Sequence, residues 1–154
     1  MINEENVVIE QFIRFCTEME IVTEAEVIDE SSGCHYLIRL MAHLLKYMIQ
    51  PEKQTASWIV SIVDSRFKLE GSSNSIKNLL RERIDSLYKQ AIKSVSKDTK
   101  FNKKLIPNEM MWDWTLENLL DKQWIAEFLQ TYAYSNDAVD YISHDKFLKL
   151  NHLD

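Results

Sequence analysis

Only two glycines and two prolines are spread over the 154 residues of this chain. That scarcity narrows the fold before any pattern is read. Hairpin turns and phosphate-cradling loops use glycine wherever φ must be positive or the backbone must approach a ligand. Gly33 and Gly71 lie 38 residues apart, so the chain holds no GxGxxG fingerprint and no P-loop. Helix interiors need neither glycine nor proline, and the expectation is an all-α fold. With 45% apolar and 27% charged residues the composition is that of a folded domain. A chain of this length buries roughly 70% of its unfolded surface and needs no disulfide or metal staple.

Apolar residues recur at helical spacing. The spacing predicts helices over 4–21, 35–50, 53–70, 75–97, 116–133 and 138–150, a compact bundle of about six. Val8, Phe12, Phe15 and Met19 form the stripe of the first. Thr23 to Glu26 reads as a capping box that opens a short acidic turn of helix. Ser31-Ser32-Gly33 reads as an interruption able to cap the next helix. Apolar pairs then recur at Tyr36/Leu37, Leu40/Met41, Leu44/Leu45 and Met48/Ile49, a stripe broad enough for a central helix. Pro51 ends it, and Gly71 sits where a C-terminal cap belongs. Short connections at Pro51 and at Gly71–Asn74 predict a central antiparallel three-helix group over 35–50, 53–70 and 75–97. Leu44, Trp58, Ile62, Leu80 and Leu87 are expected to be buried together there. Thr115 and Asp121 each read as a cap, the first opening a short helix and the second another.

Three blocks of residues together carry a resemblance. The first is Ala42-His43-Leu44-Leu45-Lys46-Tyr47 with Gln50-Pro51-Glu52-Lys53 and Ser57-Trp58. The second is Asn74-Ser75-Ile76-Lys77 with Leu79-Leu80, Tyr88 and Ala91, and the third runs from Trp114 to Asp121 with Trp124. In order and spacing these resemble the bacterial family catalogued as domain of unknown function 29. The resemblance covers residues 36–127 and implies a small all-helical bacterial protein. It implies no activity and carries over no catalytic residue. On this reading 1–154 is a single helical domain, with a family-like core at 36–127, an acidic N-terminal helix region at 1–35 and a C-terminal helical extension at 128–154. Glu24–Gly33 looks shortened against the family pattern, and the chain continues for 30 residues past Trp124.

Bulk chemistry excludes several classes. A net charge of −6 disfavours whole-surface binding of nucleic acid. The start, Met1-Ile2-Asn3-Glu4-Glu5, lacks the basic and apolar regions of a signal peptide. The apolar stretch from Tyr36 to Ile49 is broken by Arg39, His43 and Lys46 and is too short to span a bilayer. No membrane association is expected. Cys16 and Cys34 form no CxxC pattern and read as free thiols in a reducing cytoplasm.

Metal and covalent chemistry find no support. None of His35, His43, His144 and His152 has Glu three residues before it, and HExxH and GxSxG are absent. No metal, no cofactor and no catalytic residue is expected. Asp140 and His144, at i,i+4, read as a helix-surface hydrogen bond rather than an ion site.

Three constellations stand out. Arg39, His43 and Lys46 fall three and four residues apart, on one helix face opposite the apolar stripe. They read as an anion site, with Trp58 or Trp114 as a wall, or as a polar, salt-bridged helix edge. Trp112, Trp114, Trp124, Phe128 and Tyr132 crowd into 21 residues. They read as a binding platform, or as a lid closing one end of the bundle. Charge is also segregated. Residues 1–30 hold nine acids and one base, whereas 77–104 hold nine bases and three acids. Lys77, Arg81, Lys89, Lys93 and Lys97 are the candidate interface residues of that basic tract.

Two functions of different class follow. The first is a macromolecular interaction module without catalytic activity, meeting a protein partner or a second copy of itself, with nucleic acid a weaker candidate. The second is a small-molecule, anion-binding or enzymatic bundle using His43, Lys46 and Arg39. Burial of His43 discriminates between them: a concave pocket favours the second, a filled core the first.

Overall fold

A computed structural model describes residues 7–24, 27–50, 54–99 and 106–133. Among them run six α-helices and no strand: α1 (Val7–Val22), α2 (Glu30–Ile49), α3 (Ala56–Glu70), α4 (Asn74–Thr99), α5 (Leu116–Leu120) and α6 (Lys122–Tyr132). The all-α bundle expected from the glycine scarcity is the fold. The helix expected over 138–150 lies outside the described residues, as do Lys100, Lys103, Lys104 and Pro51. Among the described residues no helix is long and apolar enough to cross a membrane.

Helix α1 buries Val8, Phe12, Phe15 and Met19, its predicted stripe, together with Cys16, against α6 and α3. The acidic turn of helix expected after Thr23 does not form at Thr23, Glu24 or Val27–Asp29. Instead Asp29 caps α2. Its carboxylate accepts the Ser32 backbone N–H at 2.7 Å, and that bond holds the carboxyl below its ordinary pKa. A good acidic cap followed by Glu30 in the first turn starts the helix early. Ser31-Ser32-Gly33, expected to interrupt, therefore lies inside α2.

Helix α2 is the hub. Leu37, Leu40, Met41, Leu44, Leu45 and Tyr47 are fully buried. It packs most extensively against α4 and α3, and also touches α6. Arg39 meets Asp64, and Tyr36 meets Lys68; rising numbers on one helix face falling numbers on the other, so α2 and α3 are antiparallel. The expected three-helix group has a different internal arrangement. Although α4 follows α3 after a three-residue turn, the two touch only slightly, and α4 lies on α2 instead. The start of α4 passes close to Gly33. A Cβ on Gly33 would stand 3.0 Å from Ile76 Cγ2 and 3.7 Å from Leu80 Cδ1. A methyl there would press on the Ile76 side chain, and a larger residue would have to displace it and Leu80.

Leu44, Ile62 and Leu80 are fully buried and Leu87 nearly so, as expected, whereas Trp58 is only half-buried at the edge of the core. Gly71 does occupy the C-cap of α3, but with φ of −77°, so it uses no left-handed conformation. The stretch 116–133 is two helices. Thr115 caps α5 through the Asn118 N–H at 3.1 Å, and Asp121 caps α6 through Gln123 N–H and Trp124 N–H at 2.8 and 3.0 Å.

The packing at α2 yields two expected losses of stability. Leu80→Ala should cost about 2–5 kcal/mol in denaturant unfolding, because the site lies between two helices and collapses poorly. Gly33→Leu should cost about 1–3 kcal/mol or more by overpacking. Loss below about half a kcal/mol at both would mean the α2–α4 seam is not a packed core.

Candidate functional site

The Arg39, His43 and Lys46 trio sits on the hub helix, and each member has a separate environment. Arg39 reaches across to α3. Its Nη1 donates to Asp64 Oδ2 at 2.6 Å and its Nη2 to Ser61 Oγ at 3.2 Å. The other Asp64 oxygen accepts from Lys68 Nζ at 3.2 Å. The Lys68 ammonium in turn stands 5.1 Å from the centre of the Tyr36 ring. Burial works to lower the Lys68 pKa, but the charge and hydrogen bond of Asp64 outweigh it and hold the ammonium above its ordinary value. One carboxylate shared by two cations therefore clamps α2 to α3. His43 is half-buried, and its Nδ1–H donates to the Arg39 carbonyl oxygen at 2.8 Å, one turn back on the same helix. Lys46 is buried. Trp58 packs against the core.

Three concave regions open on the described surface. None of Arg39, His43, Lys46 and Trp58 lines any of them. One, of about 870 Å³, lies between the start of α2 and α4, beside Cys34, Arg83 and Gln90. The other two flank the segment that leads into α5 and are separated by the same side chains.

That segment holds the aromatic crowd seen in the sequence, and the structure divides it. Trp114 is 2% exposed and Phe128 8% exposed, whereas Trp112 is 93% exposed. Trp114 meets Tyr88, Trp124 and Phe128 edge-on, at interplanar angles of 87°, 88° and 72°. Trp124 stacks on Phe128 at 5.7 Å, and Phe128 leans on Tyr132 at 4.8 Å. Tyr88 Oη donates to the Pro107 carbonyl at 2.7 Å and ties α4 to the same segment. The buried Trp114 Nε1 has no hydrogen-bond partner among the described residues. On one side of Trp114, a groove of about 260 Å³ runs along Trp124, Glu127, Phe128 and Tyr132 of α6. On the other, a groove of about 500 Å³ is lined by Tyr88 and Lys89 of α4 together with Met110, Met111 and Trp112.

The basic tract is divided as well. Lys77 Nζ donates to the Glu70 carbonyl at 3.0 Å, Arg83 pairs with Glu30 at 2.9 Å, and Arg81 pairs with Glu117 and Asn78. The hydrogen bond from Arg81 holds the Glu117 carboxyl below its usual range. Lys89, Lys93 and Lys97, four residues apart, are exposed and make no ion pair among the described residues.

Two polar residues that organise this end of the bundle escape a reading by composition and motif. Arg66 is 5% exposed; its Nε donates to the Leu120 carbonyl at 2.7 Å, and its Nη1 lies 3.8 Å from Glu20. Gln54 Nε2 donates to the carbonyls of Tyr47 and Tyr132 at 3.0 and 2.7 Å. The only signal for Arg66 is its place between Val63 and Leu69 on the apolar side of α3. Among the described residues no group of three or more His, Cys, Asp or Glu could hold a metal ion.

A family model described as domain of unknown function DUF29 matches residues 22–125. The match opens ahead of α2 rather than within it, as the quoted motifs alone had suggested. No curated protein and no solved structure matches the chain.

The two thiols should behave differently. Burial pushes the Cys16 thiol up to about 12, against the opposing pull of Arg66 and Lys122. Only the thiolate attacks, so Cys16 should stay unlabelled by a thiol reagent in the native protein at any pH below about 11, while half-buried Cys34 reacts. Both should react after unfolding. Native labelling of Cys16 at neutral pH, read by peptide mass, would contradict its burial.

Proposed function

The chain belongs to the DUF29 family, and from that premise we propose that it is a macromolecular interaction module without catalytic activity of its own. It docks through the outer face of α4 and the turn carrying Trp112, in a bacterial cytoplasm. The observation that carries this reading is Trp112 itself. An indole 93% exposed stands beside Lys89, Met110 and Met111 over a groove of about 500 Å³. Aromatic anchors beside flexible methionines are what binding surfaces use; the groove's own rim is mixed in charge, with Asp85 and Glu109 beside Lys89.

Lys89, Lys93 and Lys97 extend this surface as a ridge along α4, and they speak for an acidic partner, to which they would give orientation and association rate more than affinity. A second copy offers such a surface. At the end of α1 and beyond, Ile21, Val22 and Val27 are exposed with Glu24 among them, whereas Glu20 is paired with Lys122 at 2.6 Å. Each copy would thus carry an aromatic-basic patch and an apolar-acidic patch, which two-fold symmetry can pair twice and close. Nucleic acid is the weaker partner, because the net charge of −6 opposes approach of a phosphate backbone. The alternative reading, an anion or substrate site at Arg39, His43 and Lys46, has less support, since the Arg39 guanidinium is already committed to Asp64 and Ser61.

The expected result is a salt-sensitive dimer by sedimentation, reduced to monomer in Trp112→Ala and in the combined Lys89→Glu, Lys93→Glu, Lys97→Glu variant. Both variants alter exposed side chains only and should keep the helical circular dichroism of the parent. If the parent is monomeric at every salt and concentration and retains no acidic protein, the reading fails. Retention of duplex DNA by the parent, lost in the triple variant, would assign the ridge to nucleic acid instead.

A further inference from the structure

We propose that the groove of about 260 Å³ between the 111–114 turn and α6 binds a quaternary or methylated ammonium group. It shares Met111 and Trp114 with the groove under Trp112 but faces the other way, along α6, and does not rest on docking at Trp112.

The walls are aromatic and the charge is one-sided. Trp124, Phe128 and Tyr132 repeat every four residues and form one wall along α6. Trp114 rises across from it, nearly perpendicular to Trp124 at 88° and to Phe128 at 72°. Trp114 is buried and Phe128 nearly so, and they form the floor of the groove; the half-buried rings of Trp124 and Tyr132 are the ones a guest can touch. The ionisable groups of acid and base type that line the groove are Asp113 and Glu127, both carboxylates. One Glu127 oxygen accepts from Gln123 Nε2 at 3.2 Å, which steadies it at the rim. Among the described residues no lysine, arginine or histidine lines the groove.

This combination selects a type of cation. Ring faces attract positive charge through their quadrupole, and the attraction grows when water is excluded. A bare ammonium or a metal ion wants several oxygen ligands at once, and rings cannot supply them. An alkylated ammonium spreads its charge over methyl groups that pack against rings and leaves only long-range attraction for the carboxylates. The volume lies just below the usual range of about 300–1,000 Å³ for drug-sized ligands, which suits a head group or one side chain. An anionic guest would meet two carboxylates and no compensating base.

The test titrates the full chain with tetramethylammonium, with choline, and with choline's neutral carbon isostere, 3,3-dimethylbutanol. Indole N–H signals of the tryptophans are followed by two-dimensional NMR. Expected is saturable binding of both cations with shifts at Trp114 and Trp124, and binding of the isostere at least about tenfold weaker. Glu127→Gln and Trp124→Leu should each weaken the cations several-fold, while Trp112→Ala should not. Glu127 is exposed, so its variant tests the charge without threatening the fold. A peptide bearing trimethyllysine then distinguishes sources. Tighter binding than its unmodified twin and than free tetramethylammonium makes the ligand a partner's side chain; equal or weaker binding makes it a free small cation. Equal affinity for choline and its isostere, or no saturable shift at Trp124, overturns the proposal. Neither result depends on whether the protein dimerises.

Discussion

Everything else in the bundle is arranged around the burial of α2 on two sides, with a tight contact in the α4 seam where Gly33 faces Ile76. With α3 on one flank and α4 on the other, α2 needs apolar residues around most of its circumference, which the paired pattern from Tyr36 to Ile49 supplies. One neighbour also comes close. At Gly33 the distance a Cβ would keep from Ile76 is at the edge of what real contacts show. The start of α4 lies on α2 and away from α3, its neighbour in the chain. From there α4 presents a long outer face to solvent, and its mean hydropathy is accordingly the most polar of the long helices. The candidate interface is thus a consequence of how the hub is packed.

Polar ties hold the second layer. Helix ends leave carbonyls without partners, and here two buried or half-buried side chains answer them. Arg66 takes the Leu120 carbonyl where α5 stops, and Gln54 takes those of Tyr47 and Tyr132 near the ends of α2 and α6. A buried guanidinium is costly unless satisfied, so Arg66 fixes the break between α5 and α6 as firmly as any apolar contact. That break sets the direction of α6, and with it the row of rings at Trp124, Phe128 and Tyr132. Asp121 reinforces it by ending one helix and capping the next within a single residue.

What was legible in the sequence is what periodicity and capping encode. Helix class, the stripes of α1 and α2, and the caps at Thr115 and Asp121 need only residues near one another in the chain. Three things were not legible, for one reason: each depends on a contact between distant segments. Gly33 looks like a helix breaker until Ile76 and Leu80 are seen beside it. Arg39 reads equally as part of an anion site or of a salt-bridged edge until Asp64, 25 residues away, is placed beside it. Arg66 looks like any arginine of an amphipathic helix. The aromatic crowd was visible, but its division into a buried wall and an exposed anchor was not, because Trp112 and Trp114 are two residues apart and differ only in which way the turn points them.

That division gives Trp114 a double part. It is held edge-on by three neighbouring rings and nearly inaccessible, yet it and Met111 line both grooves. A wall fixed from both sides cannot yield to one guest without pressing on the other side, since packed interiors deform little. The ring therefore serves as the partition on which the two surfaces are built. The groove along α6, with Asp113 and Glu127, and the groove beside α4, where Lys89 stands with Asp85 and Glu109, meet at that one side chain, and the exposed lysines Lys93 and Lys97 lie farther along α4.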